Sequence, residues 1–250
     1  MENELVLNKP DEKKKSSANL LSVIPLEAEV IRQPKEDLFG VVTISTISYD
    51  QNEIIENILH LHSLNQKIDL DPTYSVGNFY KNGLAQPEYK FDLVPQVEGV
   101  LQSDARHLPL GDSEVETIMF DPPFVIGGEL HDGIKEGSSI IAKRFSNFTS
   151  WEELQDLYYN SLKEFYRILK PKGIVIFKCQ DCVACSKQHF SHVEVMNYAV
   201  QLGFYPKDLF ILLAKNRLTD GRIQQHARKF HSYFWVFEKS KCKIDYGLSV

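Results

Sequence analysis

The stretch Thr117-Ile118-Met119-Phe120-Asp121-Pro122-Pro123-Phe124 decides how this chain is read, because an apolar run breaks there at an acidic residue followed by two prolines and an aromatic ring. Apolar and β-branched residues bounded by Asp and Pro read as a buried strand running into a loop. Loops at the carboxyl ends of such strands are where open α/β sheets bind ligands. Asp121 offers carboxylate acceptors, and Pro122 offers a carbonyl acceptor without a competing donor. Two neighbouring acceptors suit a planar amino group, since they hold its hydrogens and leave the nitrogen lone pair directed. The successive prolines fix φ near about −65° and so preorganise those acceptors, while Phe124 presents a face on which a base can stack. The tetrapeptide therefore suits a base taken out of its stack. Its plainer reading is a rigid loop built from ordinary turn residues.

Order along the chain adds weight. Upstream, KIDLDPTYSVGNFY (Lys67 to Tyr80) contains a short strand, Ile68 to Asp71, and then a turn with Gly77. Tyr89 to Asp92 and Gly99 to Ala105 read as two further short strands, ending in Asp92 and at Asp104. Downstream, LKPKGIVIFK (Leu169 to Lys178) carries a buried strand, Ile174 to Phe177. With these motifs in this order, the chain resembles the S-adenosylmethionine-dependent amino-methyltransferases that act on adenine or cytosine in nucleic acids, in the arrangement where the cofactor motif precedes the catalytic one. The resemblance covers roughly residues 45 to 239.

The resemblance implies an α/β fold, a Rossmann-like class I methyltransferase with a mostly parallel seven-stranded sheet and a C-terminal antiparallel hairpin. It implies S-adenosyl-L-methionine as cofactor. It makes Asp121, Pro122, Pro123 and Phe124 the catalytic residues. Asp69, Asp71, Pro72, Thr73 and Gly77 become the cofactor loop, Asp92 the ribose ligand, Asp104 and Ala105 the adenine contacts, and Ser48 to Asp50 weaker candidates for the methionine end. The chain departs from the family at one place. Where the family usually has Asp-Pro-Phe-x-Gly-x-Gly, this sequence has Asp71-Pro72-Thr73-Tyr74-Ser75-Val76-Gly77. Only the second glycine is kept, and Ser75 adds a β-carbon where the backbone often needs freedom. Cofactor binding is expected to be retained, because the other positions follow in order; a silent subunit that has lost the cofactor is the competing reading. A nicotinamide-dependent oxidoreductase lacks its Gly-x-Gly-x-x-Gly fingerprint here.

With 250 residues, 43% hydrophobic and 25% charged, the chain suits one domain, expected over 36–250 behind a flexible tail at 1–35. No apolar run has the length of a signal or a membrane span, so a soluble cytoplasmic protein without a membrane partner is expected. A net charge of −6 argues against a general nucleic-acid coat. Between Lys207 and Lys243, however, nine Lys or Arg stand against three acids. Lys215, Arg217, Arg222 and Arg228 are therefore candidate phosphate-binding residues of the substrate site.

Asp50 with Glu53, Ser150 with Glu153 and Ser191 with Glu194 have the spacing of capping boxes opening three helices. Leu209 to Ala214 and Ser232 to Glu238 are expected as the final strand pair. Val125 to Thr149 is a long glycine-containing loop suited to a cover or substrate gate. Cys179, Cys182 and Cys185 precede His189 and His192 in metal-like spacing, yet Cys179 continues an apolar strand and paired hooks are lacking, so no metal is expected. Gln180 and Asp181, at that strand's end, are placed to shape the substrate pocket instead. The expected activity is methyl transfer to the exocyclic amine of a DNA base, adenine first, since the resembled adenine enzymes favour Asp or Asn before Pro-Pro. RNA adenine and DNA cytosine are the alternatives. No separate target-reading segment is evident, which leaves room for a target-recognition partner subunit.

Overall fold

A computed structural model describes residues 43–124, 148, 150–184, 186–215 and 226–240. The tail at 1–35, residues 125–147 of the gate loop, Cys185, Arg217 and Arg222 lie outside the described residues.

Alternation along two central strands organises the molecule. β5 (Val115–Phe120) and β6 (Leu169–Cys179) run parallel, with Ile118 opposite Val175 and Phe120 opposite Phe177. Ile118, Phe120, Val175 and Phe177 enter one core, with Leu154, Tyr158, Leu162 and Phe165 of α2 (Trp151–Ile168) and Val195 and Ala199 of α3 (Ser191–Leu202). Met119, Ile174 and Ile176 enter the other, with Ile54, Ile55, Ile58 and Leu59 of α1 (Gln51–His62). Both faces are covered, which is why Ile118 to Phe120 and Ile174 to Phe177 are apolar without a break.

The other strands are β1 (Ile47–Ser48), β2 (Leu70–Asp71), β3 (Tyr89–Asp92), β4 (Leu101–Gln102), β9 (Phe204–Leu213) and β10 (His231–Lys239). The sheet order is β1-β9-β10-β6-β5-β2-β3-β4. Only β10 is antiparallel to its neighbours. From β2 the chain winds outward through β3 and β4, then returns to β5 on the other side. The carboxyl ends of β2 and β5 thus flank the switch point of the sheet.

Several expectations need correction. The main sheet has eight strands rather than seven, the extra one being β1, which pairs Ile47 and Ser48 with Ile211 and Leu212. A separate two-stranded hairpin, β7 (Cys182–Ala184) with β8 (Lys187–His189), follows β6. The last strand pair is longer than expected, reaching back to Phe204; a register shift between Val236 and Phe237 accommodates Pro206, which has no N–H to donate. Ser150 caps α2 as expected, accepting from the Glu153 N–H at 3.3 Å. Asp50 caps α1 through the Asn52 N–H at 2.9 Å, while Glu53 accepts from the Ser48 hydroxyl at 2.5 Å. Ser191 is not a cap: it is the first residue of α3, and the Glu194 N–H reaches the Phe190 carbonyl at 3.2 Å.

Candidate active site

Asp71 and Asp92, the last residues of β2 and β3, and Asp104, two residues past the end of β4 rather than at a strand end as expected, each close an Asx turn, the side chain accepting the N–H two residues on. Asp71 Oδ1 accepts from Thr73 N, Asp92 Oδ1 from Val94 N and Asp104 Oδ1 from Arg106 N, all at 2.9 Å. The turn role and a place at the ligand edge are therefore combined in the same carboxylates. Asp92 Oδ2 also accepts the Ser75 N–H at 2.8 Å, which ties the β2 loop to the end of β3. Ser75 sits at φ 53°, in the left-handed region. Here the loop adopts the backbone that a glycine would favour, without the glycine. Gly77 follows at φ 65°, and a β-carbon there would stand 2.5 Å from the Tyr74 hydroxyl.

Asp71 is completely buried, and its other oxygen accepts from the Tyr80 hydroxyl at 2.8 Å. Burial pushes its carboxyl up to about 7, against the hydrogen bonds from Thr73 and Tyr80, and the charge of nearby Asp121 adds to the rise. Burial likewise pushes the Tyr80 phenol upward. The Thr73 hydroxyl stands between the two loops: it donates to Asp71 Oδ1 at 3.3 Å and accepts the Asp121 N–H at 2.9 Å.

Strand parity places Asp121 on the α1 side of the sheet, one step past Phe120. The same parity places Lys178 beside it, one step past Phe177. Lys178 Nζ donates to Asp121 Oδ2 at 3.2 Å and to Gln51 Oε1, at the start of α1, at 3.0 Å. It also lies over the rings of Phe79 and Phe234, at 5.3 and 5.6 Å. Asp121 Oδ1 is buried and has no hydrogen-bond partner among the described residues. A buried acceptor left unpaired costs about 1–3 kcal/mol, which a donor arriving there would relieve.

A cavity of about 500 Å³ opens at this edge, lined among others by Pro72, Thr73, Asp92, Asp104, Ala105 and Asp121. Its size lies within the roughly 300–1,000 Å³ usual for small-molecule sites. Pro123 lines it too, with Phe120, Phe148, Glu153 and Leu157 on the α2 side. Asp71 and Gly77 support the wall from behind, and Pro122 and Phe124 adjoin it in sequence. Asp104 is held by Arg106, whose Nη2 lies 2.7 Å from Oδ2; this pairing keeps its carboxyl below the usual range. Asp69 faces elsewhere: its Oδ2 accepts from the Glu116 and Thr117 N–H groups at 3.0 and 3.1 Å, and Lys67 stands 3.2 Å from Oδ1.

Asp181 is nearly buried and accepts from His192 Nδ1 at 2.7 Å, while Gln180 donates to the His231 carbonyl at 2.7 Å. Both therefore brace β6, β10 and α3 at this edge. Lys215 follows the end of β9 and Arg228 precedes β10. Among the described residues, no group of three or more His, Cys, Asp or Glu side chains is placed to hold a metal ion. Sequence reasoning missed Lys178, Gln51 and Tyr80. A lysine ending an otherwise apolar strand, Ile174 to Phe177, was the available signal for the first.

No protein-family model matches the sequence, and no curated protein sequence matches it. Among solved structures, a candidate DNA modification methylase of Thermus thermophilus, complexed with S-adenosyl-L-methionine, aligns at 16% identity and a TM-score of 0.38, over 56% of this chain and 54% of that one. PvuII DNA methyltransferase, cytosine-N4-specific, aligns at 15% identity and a TM-score of 0.41, over 56% and 48%. A candidate methyltransferase from Bacillus halodurans aligns at 13% and 0.41, over 75% and 99%. The chain thus spans about half the length of the first two structures.

Proposed function

We propose that this chain moves a methyl group from S-adenosyl-L-methionine to the exocyclic amino group of a base in DNA, adenine first. The observation that carries the proposal is Asp121, which lines a cavity of about 500 Å³ at the switch point of the sheet while its Oδ1 stays buried and unpaired. The cavity suits the cofactor in size, and its acidic residues sit in the order a nucleoside needs. Asp92 keeps acceptor capacity for the ribose hydroxyls, since each of its oxygens receives one main-chain hydrogen bond. Asp104 and Ala105 line the adenine end, and Pro72 and Thr73 bring main chain to the cofactor. The cofactor supplies an electrophilic methyl group.

Asp121 and the Pro122 carbonyl accept the two amino hydrogens, so that the lone pair of the nitrogen is free and directed. Pro123 keeps that backbone rigid, and Phe124 stacks on the base. Positioning of this kind is worth up to about 7–11 kcal/mol of barrier. Lys215 and Arg228, with Arg217 and Arg222 between them in sequence, contact phosphates.

The test is transfer of labelled methyl to duplex DNA, single-stranded DNA and total RNA, with nucleosides identified by mass spectrometry and Asp121→Ala as control. N6-methyladenine in DNA, absent with the variant, is the expected result. Label in cytosine or only in RNA keeps the chemistry and changes the substrate. No transfer and no cofactor binding by calorimetry overturns the proposal in favour of a silent, nucleic-acid-binding subunit.

A further inference from the structure

Lys178 has an unusual setting. Its side chain is only 12% exposed. It lies on the face of β6 that continues Ile174 and Ile176, so it emerges from an apolar row against the start of α1. An ammonium has three donors and no acceptor. Two of its directions are taken by Gln51 Oε1 and Asp121 Oδ2, and the rings of Phe79 and Phe234 flank the cation. A cation held this way stays in one place without reorganising. The consequence falls on Asp121: one oxygen is pinned, the other is buried and unpaired. A carboxylate free to turn about its χ2 would present either oxygen at varying angles. One anchored at Oδ2 presents Oδ1 in a single orientation.

We infer that Lys178, held by Gln51, is a positioning residue for methyl transfer: it anchors Asp121 through Oδ2 so that Oδ1 alone receives the substrate amine. The inference rests on the proposed function and deepens it. It also gives α1 a part in the site, because Gln51 links the start of that helix to the carboxylate at the end of β5.

Lys178→Met keeps the length and apolar contacts of the stem and removes the charge. It is expected to lower kcat by about 10², with S-adenosylmethionine affinity and the KM for DNA each within about threefold of the parent. Lys178→Arg, which keeps the charge and a donor for Oδ2, is expected to recover part of kcat. Lys178→Ala is expected to respond to added ethylammonium. Gln51→Leu is expected to lower kcat by several-fold, and to add little when combined with Lys178→Met, because both act through one contact.

An unchanged kcat in Lys178→Met overturns the inference. So does a loss of cofactor binding or of melting temperature that explains the whole effect without ethylammonium rescue, since this marks a structural role. Additive losses for Gln51→Leu and Lys178→Met overturn the part assigned to Gln51. Asp121→Ala in the same assay separates the two levels. If it retains full transfer, the proposed function of Asp121 fails; if it is inactive while Lys178→Met is normal, only the inference about Lys178 fails.

Discussion

Single residues carry two kinds of cost at the β2 loop, one of shape and one of charge. Gly77 combines φ 65° with a β-carbon position 2.5 Å from the Tyr74 hydroxyl, and Tyr74 cannot swing away cheaply because it stacks on Tyr80 at 5.4 Å and bonds to Gln86 at 2.5 Å. Gly77→Ala should therefore lose about 2–4 kcal/mol, the sum of overpacking and left-handed strain. In urea unfolding this appears as a lower midpoint at an unchanged slope; a loss below about 1 kcal/mol would show that the loop relaxes around the methyl. Ser75 at φ 53° has the opposite expectation: Ser75→Gly should cost nothing or stabilise slightly. The charge cost belongs to Asp71. Its carboxyl titrates near 3.8 when unfolded and at about 7 when folded, so the folded state holds the proton more tightly. The associated stability is fully present below the unfolded value and is lost as pH rises through about 7. The slope approaches about 1.4 kcal/mol per pH unit within that window. Urea unfolding of the parent and of Asp71→Asn at pH 5 and pH 8 checks it: the stability of the parent relative to the variant should fall with pH. A difference that does not change would place the charged form of Asp71 in a better solvated setting than its burial indicates.

Elements meet the site through a few polar joints, and Thr73 is the one between β2 and β5. Thr73→Val keeps the shape of the side chain but leaves the Asp121 N–H without its acceptor. An unsatisfied donor there should cost about 1–3 kcal/mol and loosen the loop that carries Asp121. Expected is a fall in kcat larger than the change in cofactor affinity, measured by single-turnover transfer and calorimetry; equal losses would place Thr73 in cofactor binding alone. This joint also shows what could be read in advance. Asp71, Asp92 and Asp121 were legible as strand ends because each follows a run with apolar residues; Asp104, read the same way, lies two residues past β4, yet the structure brings Asp92, Asp104 and Asp121 around one cavity. The helices α1 and α2 were legible from their caps and apolar spacing. β7 and β8 were not, because Cys182–Ala184 and Lys187–His189 stand in a polar segment without an apolar run, and β1 is defined only by its pairing with β9. Ser191 was misread for a related reason: Ser-x-x-Glu spacing is local, but here Glu194 is drawn to Gln155 on α2, at 2.7 Å. The link from Lys178 to Gln51 spans 127 positions in sequence, and no pattern on either segment announces the other.

At the scale of the whole molecule, the topology decides where charge can act. The chain carries a net charge of −6, so long-range attraction to a polyanion must come from a local patch. β9 runs parallel to β1 and antiparallel to β10, which in turn is antiparallel to β6. The carboxyl end of β9 and the start of β10 therefore lie at the same edge as the ends of β5 and β6. Lys215 flanks the first and Arg228 and Lys229 the second, so these cations border the edge that holds Asp121. A phosphate contact by such a cation, as proposed, would release counterions, and each would contribute about 0.9 to the slope of log K against log salt on duplex DNA. Replacing Lys215 and Arg228 together by glutamine should weaken DNA binding at low salt and reduce that slope by about 1–2. The loss should be similar on unrelated sequences, because phosphates carry no base information. Fluorescence anisotropy across a salt series measures both quantities. A weaker affinity with an unchanged slope would mean that the two side chains shape the edge rather than contact the backbone. A loss confined to one sequence would move them from phosphate contact to base recognition.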